Sequence, residues 1–563
     1  VSAARVRGDG PFAAVGRPVA VQVSPDGTLV AVGGAPSAPR WHGFDVGERP
    51  EPHRGWYPIG VYRTADLSCA HLVTSSWEPS SIAFHPTLPL VAVGTGTYDG
   101  GWRSDGELLL LDVRTGDVVS VLDELRWVHR VAWRPDGETL DLILSTRNDG
   151  EAEREGAARF TVAVRRSDWR RAQPGMVRVG ALCRRPEPAA PVPSGNAEAG
   201  DAALIVDGLC TSRGTHRVGR GAVWALRALP DGRVLAALAG LSADGPGVRA
   251  ECWSAGPSPD WSVPVIGAGC QLAVAGSSVV TVPGAVDDAA ALYGAGADGS
   301  AGGAAAALFG GGAPSARGAA DPAGEAGAAV VSLLDVGTGL PRAELPSDGA
   351  AVLVSRSDGW FVLRGRSGSV LYRPDGTAVS TVDLRGPGLY FDVRHSPELL
   401  CVDEVDGQRC VVAVDVPDGS VRPVFPLDWG TERDGVPGGG PAVFLTDAGG
   451  PAVVQAGAVH CGFALRTGCV FVVRRAYPSG TVSWVHRADH PVTAVESDGR
   501  RVFVAFNNGD VAVLDAVTGR LHRRREVEAG GLSRIPLSLA LTAVGGLVIG
   551  TLDGLLVEWR DVD

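Results

Sequence analysis

Lysine is missing from this chain; all 51 basic residues are arginine. With the bias towards Ala, Gly, Val and Arg, this points to a GC-rich, bacterial coding sequence. Long apolar runs are missing too. Apolar runs such as the one at 108–111 fall far short of a bilayer span, so no membrane partner is expected. The opening VSAARVRGDGPF has no apolar h-region, so no secretory signal is read there and a cytoplasmic location is expected. There is no CxxC. The nine cysteines, an odd number, read as reduced and mostly buried thiols. His460-Cys461 with Cys469 comes nearest to metal-ligand spacing, but no second pair follows, so these read as packed strand residues. No metal or cofactor is expected. GxSxG, HExxH and Walker A strings are absent, so the expectation is a protein that is not an enzyme. Uninterrupted basic charge is also scarce. Net charge is −12, and Arg165-Arg166, Arg170-Arg171 and Arg523 to Arg525 are short clusters. A nucleic-acid partner needs a basic face, so none is expected.

What the chain does have is repetition. Its 563 residues, 45 % of them hydrophobic, suit several domains or a repeat array. Two turn signatures alternate. The first is an apolar strand, Pro-Asp-Gly or a relative, and another apolar strand, as in VAVQVSPDGTLVAVGG (19–34), RVAWRPDGETLDLIL (130–144) and WALRALPDGRVLAALAG (224–240). Weaker copies include FDVRHSPELLCVD (391–403) and LALTAVGGLVIGT (539–551). The second is strand, Asp, two residues, Thr-Gly, strand, as in LLLLDVRTGDVVSVL (108–122), VSLLDVGTGLPRAEL (331–345) and VAVLDAVTGRLHRR (511–524). Both are hairpin chemistry: Pro presets φ, Asp bonds the backbone ahead, and Gly accepts positive φ. The strands are apolar at successive positions, as in sheets buried on both faces.

The order strand a, PDG turn, strand b, loop, strand c, TG turn, strand d makes a four-stranded antiparallel blade. Such a blade cannot bury its faces alone. The expected fold is all-β, a β-propeller array of about ten four-stranded blades, arranged as two packed rings. The stretch 176–218, with ALIVDGLCTSR (203–213), is a candidate for a further unit. Blades are expected over 1–283 and 329–563, with a Gly/Ala-rich spacer at 284–328 in a b–c loop. The last unit, GTLDGLLVEWRDVD, lacks a fourth strand. Residues 3–7 are expected to supply it and close the array by pairing N- and C-terminal strands.

The PDG strings, the LDVRTG, LDVGTG and LDAVTG strings and the closing VEWRD resemble bacterial WD40-like and YVTN-type propellers. The resemblance covers nearly the whole chain as architecture. Gly-His pairs are missing, so the array is a diverged one. The resemblance implies a scaffold that docks proteins or peptides, and no individual functional residue carries over.

Antiparallel strands put a–b and c–d turns on one face of a propeller and b–c and d–a loops on the other. The long segments 35–57, 95–106, 147–157 and 284–328 are b–c loops; 184–202 and 428–440 are d–a loops. The expected binding surface is therefore the loop-rich face. Loops 35–57 and 95–106 supply the candidate partner-binding residues Trp41, Trp56, Tyr57, Tyr98, Trp102 and Arg103, of the types that dominate hot spots. The plainer alternative is that these aromatics cap blade ends. Two other readings stand beside the protein or peptide scaffold. One is a channel-site sensor of a small ligand or glycan. The other is a metal-dependent lactonase or hydrolase-type propeller using His85 and His395. Against the latter, a strand-end His also satisfies turn backbone groups. Asp99, Asp105 and Asp149 are loop carboxylates that read as solvated.

Overall fold

The computed structural model describes residues 5–7, 10–35, 57–98, 103–186, 199–215, 221–239, 249–256, 258–265, 268–284, 330–346, 352–365, 368–384, 393–427, 436–461 and 464–560. Apolar strands and tight turns repeat along all of it. In the Pro-Asp-Gly turns, Asp136 Oδ1 accepts the N–H groups of Glu138 and Thr139, both at 2.9 Å. In the Thr-Gly turns, Asp515 Oδ1 accepts from Thr518 N at 2.8 Å and from its hydroxyl at 2.7 Å. These short-range bonds reverse the chain at each signature and leave the flanking strands to pair.

The main sheets, numbered in chain order, span 17–75, 79–120, 128–186, 222–264, 268–346, 352–382, 399–426, 436–488, 492–526 and 536–559. Eight sheets are four-stranded and antiparallel, and the whole is a propeller-type repeat fold. Sheet 10 takes its fourth strand from Arg5–Arg7, which pairs antiparallel with Leu556–Trp559 in the register Arg5↔Glu558, Val6↔Val557 and Arg7↔Leu556. Arg7 also reaches the Glu558 carboxylate at 2.6 Å, with both side chains buried.

The strands of each sheet are apolar on both faces because each sheet packs between two others. Sheet 1 packs on sheet 2 and sheet 2 on sheet 3. Sheets 4 to 10 each pack on the next, and sheet 10 packs back on sheet 4, where Ser538 Oγ donates to Val223 O at 2.7 Å. The neighbours of sheets 4–10 thus form a cycle, whereas sheets 1–3 form a linear stack. The expected pair of rings is not the arrangement seen among the described residues.

Two further expectations are corrected. Residues Ala199–Ser212 are an α-helix, not part of another blade. The continuous run Leu204-Ile205-Val206 resembles a buried strand, but the spacing of Ala202, Val206 and Cys210 puts three buried side chains on one helical stripe. That stripe lies on Arg17–Val23, the inner strand of sheet 1, and covers the end of the linear stack. Among the described residues of 391–403, the expected hairpin is also absent. Val393–Arg394 pairs in parallel with Val436–Asp447 of sheet 8, leaving sheet 7 with three strands. Two adjacent residues at the start of the turn that follows hold one carboxylate: Arg394 Nη2 lies 2.8 Å, and His395 Nε2 2.7 Å, from Glu496 of sheet 9. Glu496 is buried, and a buried carboxylate is tolerated only when paired in this way.

Candidate functional site

Antiparallel pairing puts b–c and d–a connections on one face, and the described candidates Tyr57, Tyr98 and Arg103 belong to two of the b–c connections. Trp41, Trp56 and Trp102 lie outside the described residues. Tyr57 is the half-buried first residue of Tyr57–Arg63, opposite Ser75. Tyr98 and Arg103 share a small hairpin, in which Thr97–Tyr98 pairs with Ser104–Asp105 above sheet 2. Tyr98 is 36 % exposed. Its hydroxyl donates to Asp149 Oδ2 at 3.0 Å, and Arg103 lies 3.3 Å from Asp105. Both candidates therefore have roles inside the surface as well as exposure on it. The loop aspartates Asp105 and Asp149 are taken up by the same contacts.

The hairpin is one part of a platform. The next b–c connection, in sheet 3, forms the helix Asp149–Glu155, whose N-cap Asn148 accepts from Glu151 N at 2.9 Å. Ser104 N donates to Arg147 O at 3.1 Å and joins the two connections. Below them Arg126, from the link between sheets 2 and 3, reaches Glu124 at 2.8 Å and Glu151 at 2.5 Å. Arg184 adds a contact to Glu151 at 2.8 Å. Burial opposes the charge on Glu151. The hydrogen bonds from Arg126, Arg147 N–H and Arg184 outweigh it and hold the carboxyl down at about 2. Sequence reasoning singled out none of Arg126, Glu151 and Arg184. The Asn148-x-x-Glu151 spacing is a legible helix-start signal that could have drawn attention to one of them.

His129, at the inner end of sheet 3, lies 2.6 Å from Ser145 Oγ. The spacing is that of a nucleophile and its base, but the chemistry is not. Burial, with the nearby Arg159 charge, pushes the imidazole down to about 3, too weak a base to activate a hydroxyl near neutrality. Trp127 packs over this ring at 4.1 Å.

The two histidines considered as channel ligands have other partners. His85 Nδ1 accepts from Thr87 N and Leu88 N at 3.1 and 2.9 Å, and its Nε2 lies 2.8 Å from Gly137 O in the next sheet. His395 is held by Glu496. Among the described residues, no group of three or more His, Cys, Asp and Glu is assembled as a metal would require. Arg394 donates to Leu539 O at 2.6 Å and Leu226 O at 3.0 Å, on the inner strands of sheets 10 and 4. Its own segment lies between sheets 7 and 8, on the far side of the cycle, so the side chain crosses the middle. Among the described residues no helix is long and apolar enough to cross a membrane.

No protein-family model matches the chain, and no curated protein matches it. Among solved structures, the crystal structure of BamB from Moraxella catarrhalis is similar, with a TM-score of 0.34 and 12 % identity, over 61 % of this chain and 84 % of that one.

Proposed function

We propose that this protein is a non-catalytic propeller scaffold that holds a protein or peptide partner on its loop-rich face. In this reading sheets 4–10 are one seven-bladed ring closed by Arg5–Arg7, and sheets 1–3 are a finished arc beside it. The observation that carries the reading is the platform over sheets 2 and 3. Its hairpin, helix and linking segments are fastened by Arg126–Glu151, Arg184–Glu151 and Tyr98–Asp149. Rigid presentation reduces the ordering cost of binding. The channel-sensor and metal-hydrolase readings both want an open axis, and Arg394 occupies it. A cytoplasmic location belongs to the same proposal; a secreted pool on cell fractionation would overturn it.

The test is site-specific photocrosslinking in the native host. A crosslinker at Tyr98 is expected to capture a discrete partner. One at Val544, 89 % exposed on the a–b turn of sheet 10, probes the opposite face and is expected to capture none. Equal capture at both positions, or capture at neither, would overturn the proposal.

A further inference from the structure

Sheet 3 ends the linear stack, and its two faces differ. Val131, Leu142, Val162 and Val164 are buried against sheet 2. The other face carries Arg159, Ala163 and Arg165, all exposed, on the strand Arg159–Arg165. Register adds Arg130 and Arg185 to that face, since Arg130 opposes Ile143, Ile143 opposes Thr161 and Thr161 opposes Arg185. Residues 128–186 hold 12 Arg against 8 Asp and Glu, in a chain of net charge −12. A polar outer face is what a terminal repeat needs for solubility. This one is also basic, and among the described residues its edge is only partly paired. The fourth strand is only Arg185–Pro186, pairing with Phe160 and Thr161. Residues two apart on a strand point the same way, so the outward backbone groups of Ala163 and Arg165 have no strand partner among the described residues.

We propose that this edge takes an extended acidic peptide as an added strand, a surface separate from the loop-rich face. Main-chain hydrogen bonds to Ala163 and Arg165 supply register. Alternation then sets the peptide's chemistry. Side chains on the outer face meet Arg165 and Arg185 and are acidic. Side chains on the inner face continue the row of Val162 and Val164 and are apolar. A nucleic acid fits less well. It has no amide backbone to pair with Ala163 and Arg165 and no apolar side chains to continue the row of Val162 and Val164; Arg134 and Arg165 are paired with Asp141 and Glu138 at 2.9 and 3.0 Å, so any anionic ligand competes with those carboxylates.

The experiment is fluorescence anisotropy on the full chain with a labelled peptide of alternating Glu and Val. An alternating Lys-Val peptide and a single-stranded oligonucleotide of equal length serve as comparisons. The Glu-Val peptide alone is expected to bind, more weakly as salt rises. The double variant Arg165→Glu/Arg185→Glu is expected to lose at least about tenfold in affinity, a change of about 1.4 kcal/mol. Ala163→Pro, which removes an outward N–H, is expected to lose a similar amount, while Ala163→Ser keeps the native value. Undiminished binding by the double variant or by Ala163→Pro, tighter binding of the oligonucleotide, or no binding by the native chain would each overturn the proposal. The double variant alters only exposed side chains, so the test stands even if the proline variant fails to fold.

Discussion

Several polar side chains in this protein work in buried surroundings, and each needs its own partner. His129 is the clearest case for a pH effect. Its folded pKa is depressed to about 3 from an ordinary 6.5, so the folded state keeps it neutral while the unfolded chain takes up a proton below pH 6.5. Stability from this residue is complete above that pH and is lost as pH falls towards 3, by at most ~1.4 kcal/mol per unit. Glu151 acts in a lower window. It supports the fold above its ordinary value of 4.5 and loses that support as pH falls through about 2. His129→Asn should therefore flatten the loss of stability between pH 7 and 4 without altering the loss below pH 3. Thermal melting across that range measures it, and an unchanged slope from 7 to 4 would assign the acid sensitivity elsewhere.

At the scale of the element, the Thr-Gly turns do more than reverse a strand. Each receives a side chain from the outer strand of the preceding sheet. Trp484 Nε1 donates to Ala516 O, and Trp261 Nε1 to Val336 O, both at 3.0 Å; His71 Nε2 lies 2.8 Å from Val113 O. The turn glycine makes room for the ring. Gly519 has φ +69, and a Cβ there would lie 2.6 Å from the Trp484 ring. Gly545 has φ +82 with open space around it. Alanine at Gly545 should cost only the left-handed backbone penalty of about 1–2 kcal/mol. Alanine at Gly519 should cost that and a displaced tryptophan, and lower the melting temperature further. Equal shifts for the two variants would show that the ring contact contributes nothing. The role of glycine as a turn former was legible in the sequence. Its role as a docking floor was not, because the tryptophan and the turn lie about thirty residues apart and meet only through packing.

At the scale of the molecule, sheets 4–10 meet around Arg394. This one side chain joins the inner strands of sheets 4 and 10 and pairs with Glu496 from sheet 9. Burial raises the cost of charge on Glu496, but Arg394 and His395 keep it ionised and hold its pKa low. Arg394→Met should destabilise the protein by about 3–5 kcal/mol, chiefly by stranding that carboxylate. Adding Glu496→Gln should recover much of the loss. Calorimetry on the single and double variants decides this; additive losses would mean that the two residues do not act as a pair.

Strands, turns and their alternation were readable from local chemistry, since Pro-Asp-Gly and Asp-x-x-Thr-Gly act within a few residues and an apolar run needs cover wherever it goes. The short N-terminal strand and the incomplete last sheet were readable for the same reason, as a surplus and a deficit of one strand. The neighbours of each sheet were not. Valine, leucine and alanine faces pack against any similar face, so nothing local sends sheet 10 back to sheet 4 or ends the stack at sheet 3. The helix at Ala199–Ser212, the crossing of Arg394 and the platform around Glu151 belong to the same class. Each depends on groups far apart in the chain, and became specific only when close packing brought a charge, a carbonyl or an uncovered face within reach.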